Sequence, residues 1–193
     1  MPEPRVVLFT RYPEPGRAKT RLIPALGEVG AAALHRRLAE RTLAAVRASG
    51  LPYELRVTGA EPAAFRAWLG PMDAVPQGDG DLGERLARAA PPYPVLFIGA
   101  DVPDLSANHL RAAADALRGA PAVVGPAEDG GYWLLGLAGA VRGIFDGIAW
   151  GTDAVFDQTM TRLRAAGDEP ALLACLADCD RPEDLARWPG LAA

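Results

Sequence analysis

Lysine is almost missing from this chain. Its 193 residues hold one, Lys19, against nineteen arginines. Cysteine and histidine are nearly as scarce, with Cys175, Cys179, His35 and His109 as the full set. A single C-x-x-x-C pair without nearby histidines is weak evidence for zinc and excludes a disulfide framework. The plain reading is two small thiols in or near the core. No apolar run approaches the roughly 18 residues of a membrane span. The start, Met1 to Arg5, leads straight into a short apolar run instead of a leader-like segment, so a cytoplasmic protein is expected. The net charge of −4 argues against nucleic acid as a main partner. No G-x-x-x-x-G-K-[ST] loop, internal repeat or low-complexity tract is present, despite 18 prolines and 21 glycines.

Half of the residues are hydrophobic, enough for a sizeable core, and the length suits a single domain over residues 1–193. Val95-Leu-Phe-Ile98, bounded by Pro94 and Gly99, reads as a strand buried on both faces. Further strands are expected at 5–10, 53–58, 73–76, 121–126 and 132–137. Helices are expected at 28–48, 62–69, 82–90, 108–117 and 154–166, with a last helical turn at 183–187. Residues 170–177 suit either strand or helix. Strands alternating with helices call for an α/β fold of three layers, α/β/α, around a mostly parallel sheet. In such sheets ligands sit beside the loops at the carboxyl edge.

Charge is unevenly spread. Residues 1–48 hold nine Lys/Arg and four Asp/Glu, and residues 49–193 hold eleven and twenty. A basic start beside an acidic remainder suits an anionic substrate held against metal-binding carboxylates. Arginines 36, 37 and 41 could equally be a solvated helix face.

Five stretches could carry chemistry. The loop after the first strand, Arg11 to Leu22, is shaped by Pro13, Pro15 and Gly16 and carries Arg17, Lys19 and Arg21. An ammonium meets a phosphate as a point charge and a guanidinium as a fork, so this loop is expected to bind phosphate. In Gln77 to Arg85, the glycines Gly78, Gly80 and Gly83 let backbone approach a ligand, and the Gln77 amide could read a base edge. A turn with Asp81 capping a helix explains that stretch about as well.

Asp101 closes the buried strand with no capping duty, which Asp104 or Ser106 can fill. A carboxylate left over at a strand end can hold a divalent cation. Glu128, Asp129, Gly130 and Gly131 form a polar loop between two strands, suited to an acceptor or to a plain hairpin turn. Trp150-Gly151-Thr152-Asp153 either caps the next helix or brings Asp153 to Asp101 as a second metal ligand.

Taken together these stretches resemble the DUF2064 family, the GT-A-like "selenodomain-associated transferase 1" proteins. The matching text is Tyr12-Pro-Glu-Pro-Gly16 with Lys19-Thr-Arg-Leu22, Asp81-Leu-Gly-Glu-Arg85 and Gly99-Ala-Asp-Val-Pro-Asp-Leu105. It continues with Gly125 to Tyr132 and Trp150 with Thr152-Asp153. One departure is Val102, where a smaller or polar residue is expected. The family is similar to molybdenum-cofactor and phospholactate guanylyltransferases. The resemblance implies a Rossmann-like GT-A (nucleotide-diphospho-sugar transferase) fold, a nucleotide site, Mg²⁺ or Mn²⁺, and transfer chemistry.

The expected function is a metal-dependent transferase acting on a nucleotide or nucleotide-sugar. A nucleotidyltransferase, in which an acceptor phosphate attacks the α-phosphorus, is favoured. A glycosyltransferase with a nucleotide-sugar donor and a non-catalytic nucleotide-binding protein are the alternatives. Lys19, Arg21 and Asp101 are expected to carry the chemistry. Arg11, Gly16, Arg17, Lys19, Gln77, Gly80, Asp81 and Gly83 are expected to hold the nucleotide, and residues 128–131 an unknown small-molecule acceptor. Asp101 and Asp153 are expected to hold the metal. No membrane partner is expected, and a homodimer is left open.

Overall fold

A computed structural model describes residues 2–191. Seven strands form one sheet: β1 Arg5–Arg11, β2 Tyr53–Thr58, β3 Ala74–Pro76, β4 Val95–Ile98, β5 Ala122–Pro126, β6 Tyr132–Leu137 and β7 Ala171–Leu172. Their order is β3-β2-β1-β4-β6-β5-β7. β6 alone runs antiparallel, against both β4 and β5. The helices are α1 Ile23–Ser49, α2 Pro62–Leu69, α3 Leu82–Ala89, α4 Ala107–Leu117 and α5 Val155–Ala165.

β4 is buried at all four positions because it pairs with β1 on one side and β6 on the other. The pleat sorts its side chains. Leu96 and Ile98 join Leu8, Leu55, Phe65 and Leu110 in the core beneath α1, α2 and α4. Val95 and Phe97 join Val7, Leu86, Leu135 and Leu163 beneath α3 and α5. Each fully buried aliphatic side chain contributes roughly 2 kcal/mol relative to an exposed one. This is the expected three-layer α/β/α arrangement.

The start of α1 differs from expectation, and the stretch 170–177 takes the strand alternative over two residues. α1 begins at Ile23 with Pro24 in its first turn, and Gly27, at φ 70°, breaks it just inside the start. The stretch 170–177 supplies a two-residue strand, β7, beside β5, and the chain then runs on to a 3-10 turn, Pro182–Arg187. Since β1, β4 and β5 are parallel, the loops after Arg11, Ile98 and Pro126 all open at one edge. Among the described residues no helix is long and apolar enough to cross a membrane.

Gly136 sits in β6 opposite Leu96 of β4 and Val123 of β5. A Cβ there would run into the side chains of both neighbours. Gly136→Ala should destabilise by about 2 kcal/mol through overpacking, with the denaturant m-value unchanged. Denaturant unfolding checks this.

Candidate active site

The loop that follows β1 folds back over the carboxyl edge of the sheet. Lys19 takes φ 48°, the only positive φ on a non-glycine residue among those described. Such a backbone costs an L-residue roughly 1–2 kcal/mol, so something must hold it. The side chain supplies the answer. Nζ lies 2.5 Å from Asp101 Oδ1 and 2.6 Å from Asp180 Oδ1, and donates to the Cys179 carbonyl at 2.8 Å. An ammonium has three N–H groups, and all three have partners. The side chain is 4% exposed. Burial alone would lower its pKa, but the charges of Asp101 and Asp180 outweigh burial and raise it.

Asp101 is likewise disfavoured as an anion by burial, and Lys19 reverses the balance and holds its carboxyl below the usual range. Its side chain is nonetheless 47% exposed. Its backbone carbonyl accepts from the Cys179 N–H at 2.9 Å. Lys19, the end of β4 and the C-terminal segment are thus pinned at one point.

Around this point the loop is braced from several sides. Arg11 donates to the Arg17 carbonyl at 2.7 Å. His35, buried in α1, has Nε2 2.9 Å from the Arg11 carbonyl. A carbonyl only accepts, so Nε2 carries the hydrogen. Burial lowers the pKa of His35, which favours the neutral ring. Arg17 and Arg21 stay open to solvent, at 71% and 58%.

Three cavities meet here. A pocket of about 240 Å³ is lined by Arg11, Arg17, Lys19, Arg21 and His35 with Asp101 and Asp180. A cavity of about 460 Å³ shares Arg21, Asp101 and Asp180 with it and adds Asp129, Gly131, Trp150 and an apolar wall. A third, of about 420 Å³, holds Glu128, Asp129, Asp153 and Asp178 beside Arg21 and Arg187.

Of the residues expected at the site, Arg11, Arg17, Lys19, Arg21 and Asp101 therefore come together, with Asp129 and Gly131 next to them. Gly16, at φ 76°, makes the turn that leads there. Asp153 lines the third cavity, not either of those that Asp101 lines. Its backbone fills the space a Cβ on Gly130 would need, and Gly130 accepts from Phe156 N–H at 2.9 Å. Asp129 accepts from Gly131 N–H at 2.9 Å. Glu128 is held by Arg187 through two bonds, of 2.5 and 3.0 Å.

In the stretch from Gln77 to Gly83 the structure takes the second of the two expected readings, a turn with Asp81 capping a helix. The Gln77 amide donates to the Thr10 and Arg56 carbonyls at 3.2 and 3.0 Å and accepts from Arg85 at 3.2 Å. These bonds tie the amide to the backbone of β1 and β2 and to α3. Asp81 caps α3 in a reciprocal capping box with Glu84, and the Glu84 carboxylate fills the space beside Gly80. A Cβ on Gly83 would lie 2.8 Å from the Phe145 carbonyl oxygen and 2.9 Å from Trp150 Nε1. That glycine lets the 145–150 segment approach α3.

Asp180 was not singled out from the sequence, although it contacts both Lys19 and Arg21. The acid-rich run Asp178 to Asp184 was the available signal. Among the described residues no group of three or more His, Cys, Asp or Glu is arranged to hold a metal ion. The carboxylates present fit a cation of the Mg²⁺ kind, which takes one or two carboxylates and completes its shell with water and substrate phosphate.

The sequence model of the bacterial family DUF2064, described as uncharacterized proteins conserved in bacteria, matches residues 42–152. A candidate nucleotide-diphospho-sugar transferase from Desulfovibrio desulfuricans is 34% identical. It superposes at a TM-score of 0.87 over 96% of this chain and 85% of its own. Rv0371c of Mycobacterium tuberculosis, in complex with manganese, is 22% identical at a TM-score of 0.56, over 96% of this chain and 97% of that one. The 2-C-methyl-D-erythritol 4-phosphate cytidylyltransferase of Thermus thermophilus is 21% identical at 0.57, over 100% and 99%. These last two likenesses establish the GT-A-type fold. A comparison with curated proteins finds no match.

Burial and the nearby charge of Asp129 push the Asp178 carboxyl up to about 6. The unfolded chain ionises near pH 3.9, so the folded state resists ionisation and loses stability as pH rises from about 4 to 6. Asp178→Asn should add about 1 kcal/mol above pH 6, after allowance for solvent screening, and nothing below pH 4. Unfolding measured across that range checks the sign.

Proposed function

The chain belongs to the DUF2064 family, and on that footing we propose that it is a metal-dependent nucleotidyltransferase. The observation that carries the reading is the sharing of Asp101 between a cationic pocket and a larger cavity. In this reading Arg17 and Arg21, the accessible cations, meet the nucleotide phosphates. Lys19 reaches a phosphate oxygen only by exchanging one of its three partners. Its standing role is to keep Asp101 ionised and aimed.

Asp101 would hold Mg²⁺ or Mn²⁺, with Asp129, which lines the same cavity, as the second carboxylate in place of the expected Asp153. When bound, such a cation neutralises charge on the phosphates during transfer. The acceptor would lie in the larger cavity beside Asp129 and Gly131. The protein's part is to position the two substrates and exclude water. A glycosyltransferase reading is favoured by one observation, the candidate nucleotide-diphospho-sugar transferase among the relatives.

The deciding experiment is titration with a panel of nucleoside triphosphates and nucleotide-sugars in Mg²⁺, followed by product assay. Pyrophosphate release is expected. Nucleoside diphosphate release from a nucleotide-sugar would favour glycosyl transfer, and neither product would overturn an enzymatic reading. Arg21→Ala should weaken triphosphate binding by about 1.5–3 kcal/mol, the scale of a charged hydrogen bond, with little change in stability. Lys19→Met should instead cost about 2 kcal/mol of stability, since it leaves two carboxylates without their cation. Calorimetry and thermal unfolding separate the two effects.

A further inference from the structure

The two cavities that meet at Asp101 carry opposite chemistry. The smaller brings four basic side chains together with two carboxylates, Asp101 and Asp180, and is net positive. The larger is lined by three carboxylates, Asp101, Asp129 and Asp180, and by one cation, Arg21. That cation lies 3.4 Å from Asp180, which offsets it. Much of the remaining wall is apolar, built from Phe9, Phe97, Leu82, Leu86 and Trp150, with the hydroxyl-bearing Tyr132 and Thr152 beside them. Leu82 is 41% exposed at this wall, although it opens a helix whose Leu86 and Ala89 are buried.

Without a bound divalent cation, a phosphate entering the larger cavity would face a net negative lining, three carboxylates against Arg21 and the Lys19 ammonium that pairs with Asp101 and Asp180. At an effective dielectric near 20, one pair of like charges 4 Å apart costs about 4 kcal/mol. A hydroxyl meets the same groups favourably, because carboxylates accept O–H bonds and those bonds are strong. The apolar face of a ring gains by packing on Phe9 and Trp150.

We infer that the second substrate is a neutral, hydroxyl-bearing molecule with one apolar face, and that it offers a hydroxyl where a phosphate acceptor was expected. Sugars and aryl alcohols share this chemistry. Asp129 sets the selection. Its Oδ1 is engaged by Gly131 N–H, and the loop that carries it is fixed by the Phe156–Gly130 hydrogen bond. The inference rests on the smaller pocket being the phosphate site.

Saturation-transfer NMR on the full chain without nucleotide tests it, with two pairs of probes: methyl glucoside against glucose 1-phosphate, and benzyl alcohol against benzyl phosphate. A signal belongs to the cavity if Leu82→Ser or Trp150→Leu removes it. The neutral member of at least one pair should bind there at least about tenfold more tightly than its phosphate, a gap well within one charge repulsion. Which pair responds tells sugar from aryl alcohol. Asp129→Asn should narrow the gap.

Equal or tighter cavity binding by the phosphates overturns the inference, and so does the lack of any cavity signal from all four probes. Triphosphate affinity measured on the same samples keeps the two readings apart. If the triphosphate binds and the neutral probes do not, only this inference falls. If the triphosphate fails to bind, the phosphate site falls as well.

Discussion

One buried ammonium organises this site. Lys19 joins the loop after β1 to the end of β4 through Asp101, and to the C-terminal segment through Asp180 and Cys179. These segments are 80 to 160 residues apart in sequence, so no local preference could bring them together. An unpaired buried charge would be prohibitively costly, which means the three partners must arrive together or the loop cannot close. The left-handed backbone at Lys19 is tolerable for the same reason, because the side-chain contacts over-determine it.

The arrangement also divides the edge of the sheet by charge. Arg11 and Arg17 line only the pocket on one side of Asp101 and Asp129 only the cavity on the other, while Arg21 and Asp180 line both. Transfer chemistry needs such a boundary. In the proposed reading the charged donor and the acceptor approach one atom from opposite directions. Further along the chain, the C-terminal segment reinforces the boundary. Arg187 holds Glu128, and Trp188 donates to Asp104 at 3.0 Å, so this segment touches the loops after both β4 and β5.

Most of the architecture was legible in the sequence because burial writes a plain pattern. Val95 to Ile98 is apolar throughout and lies in mid-sheet, and the alternation of strands and helices leads directly to the layered fold. β7 was not legible, since two residues have no period. At the site, residues that share the loop after β1 were found together because sequence proximity sufficed. Gln77 and Gly83 admit two readings for a physical reason. A buried amide that braces backbone, and a glycine that admits a tryptophan, look in sequence like ligand-binding residues. Asp180 was missed because its partner, Lys19, lies 161 positions away, a pairing that only the fold discloses.

The central claim is that the carboxylate and the cations meeting at Lys19 form the seat of a metal–nucleotide complex. Anomalous scattering from crystals grown with Mn²⁺ and a nucleoside triphosphate tests it most directly. The account predicts one manganese peak within about 2.5 Å of an Asp101 carboxylate oxygen, with the phosphates on the side of Arg17 and Arg21. A peak more than about 4 Å from Asp101, well outside coordination distance, or phosphates bound away from both Arg17 and Arg21, would contradict it.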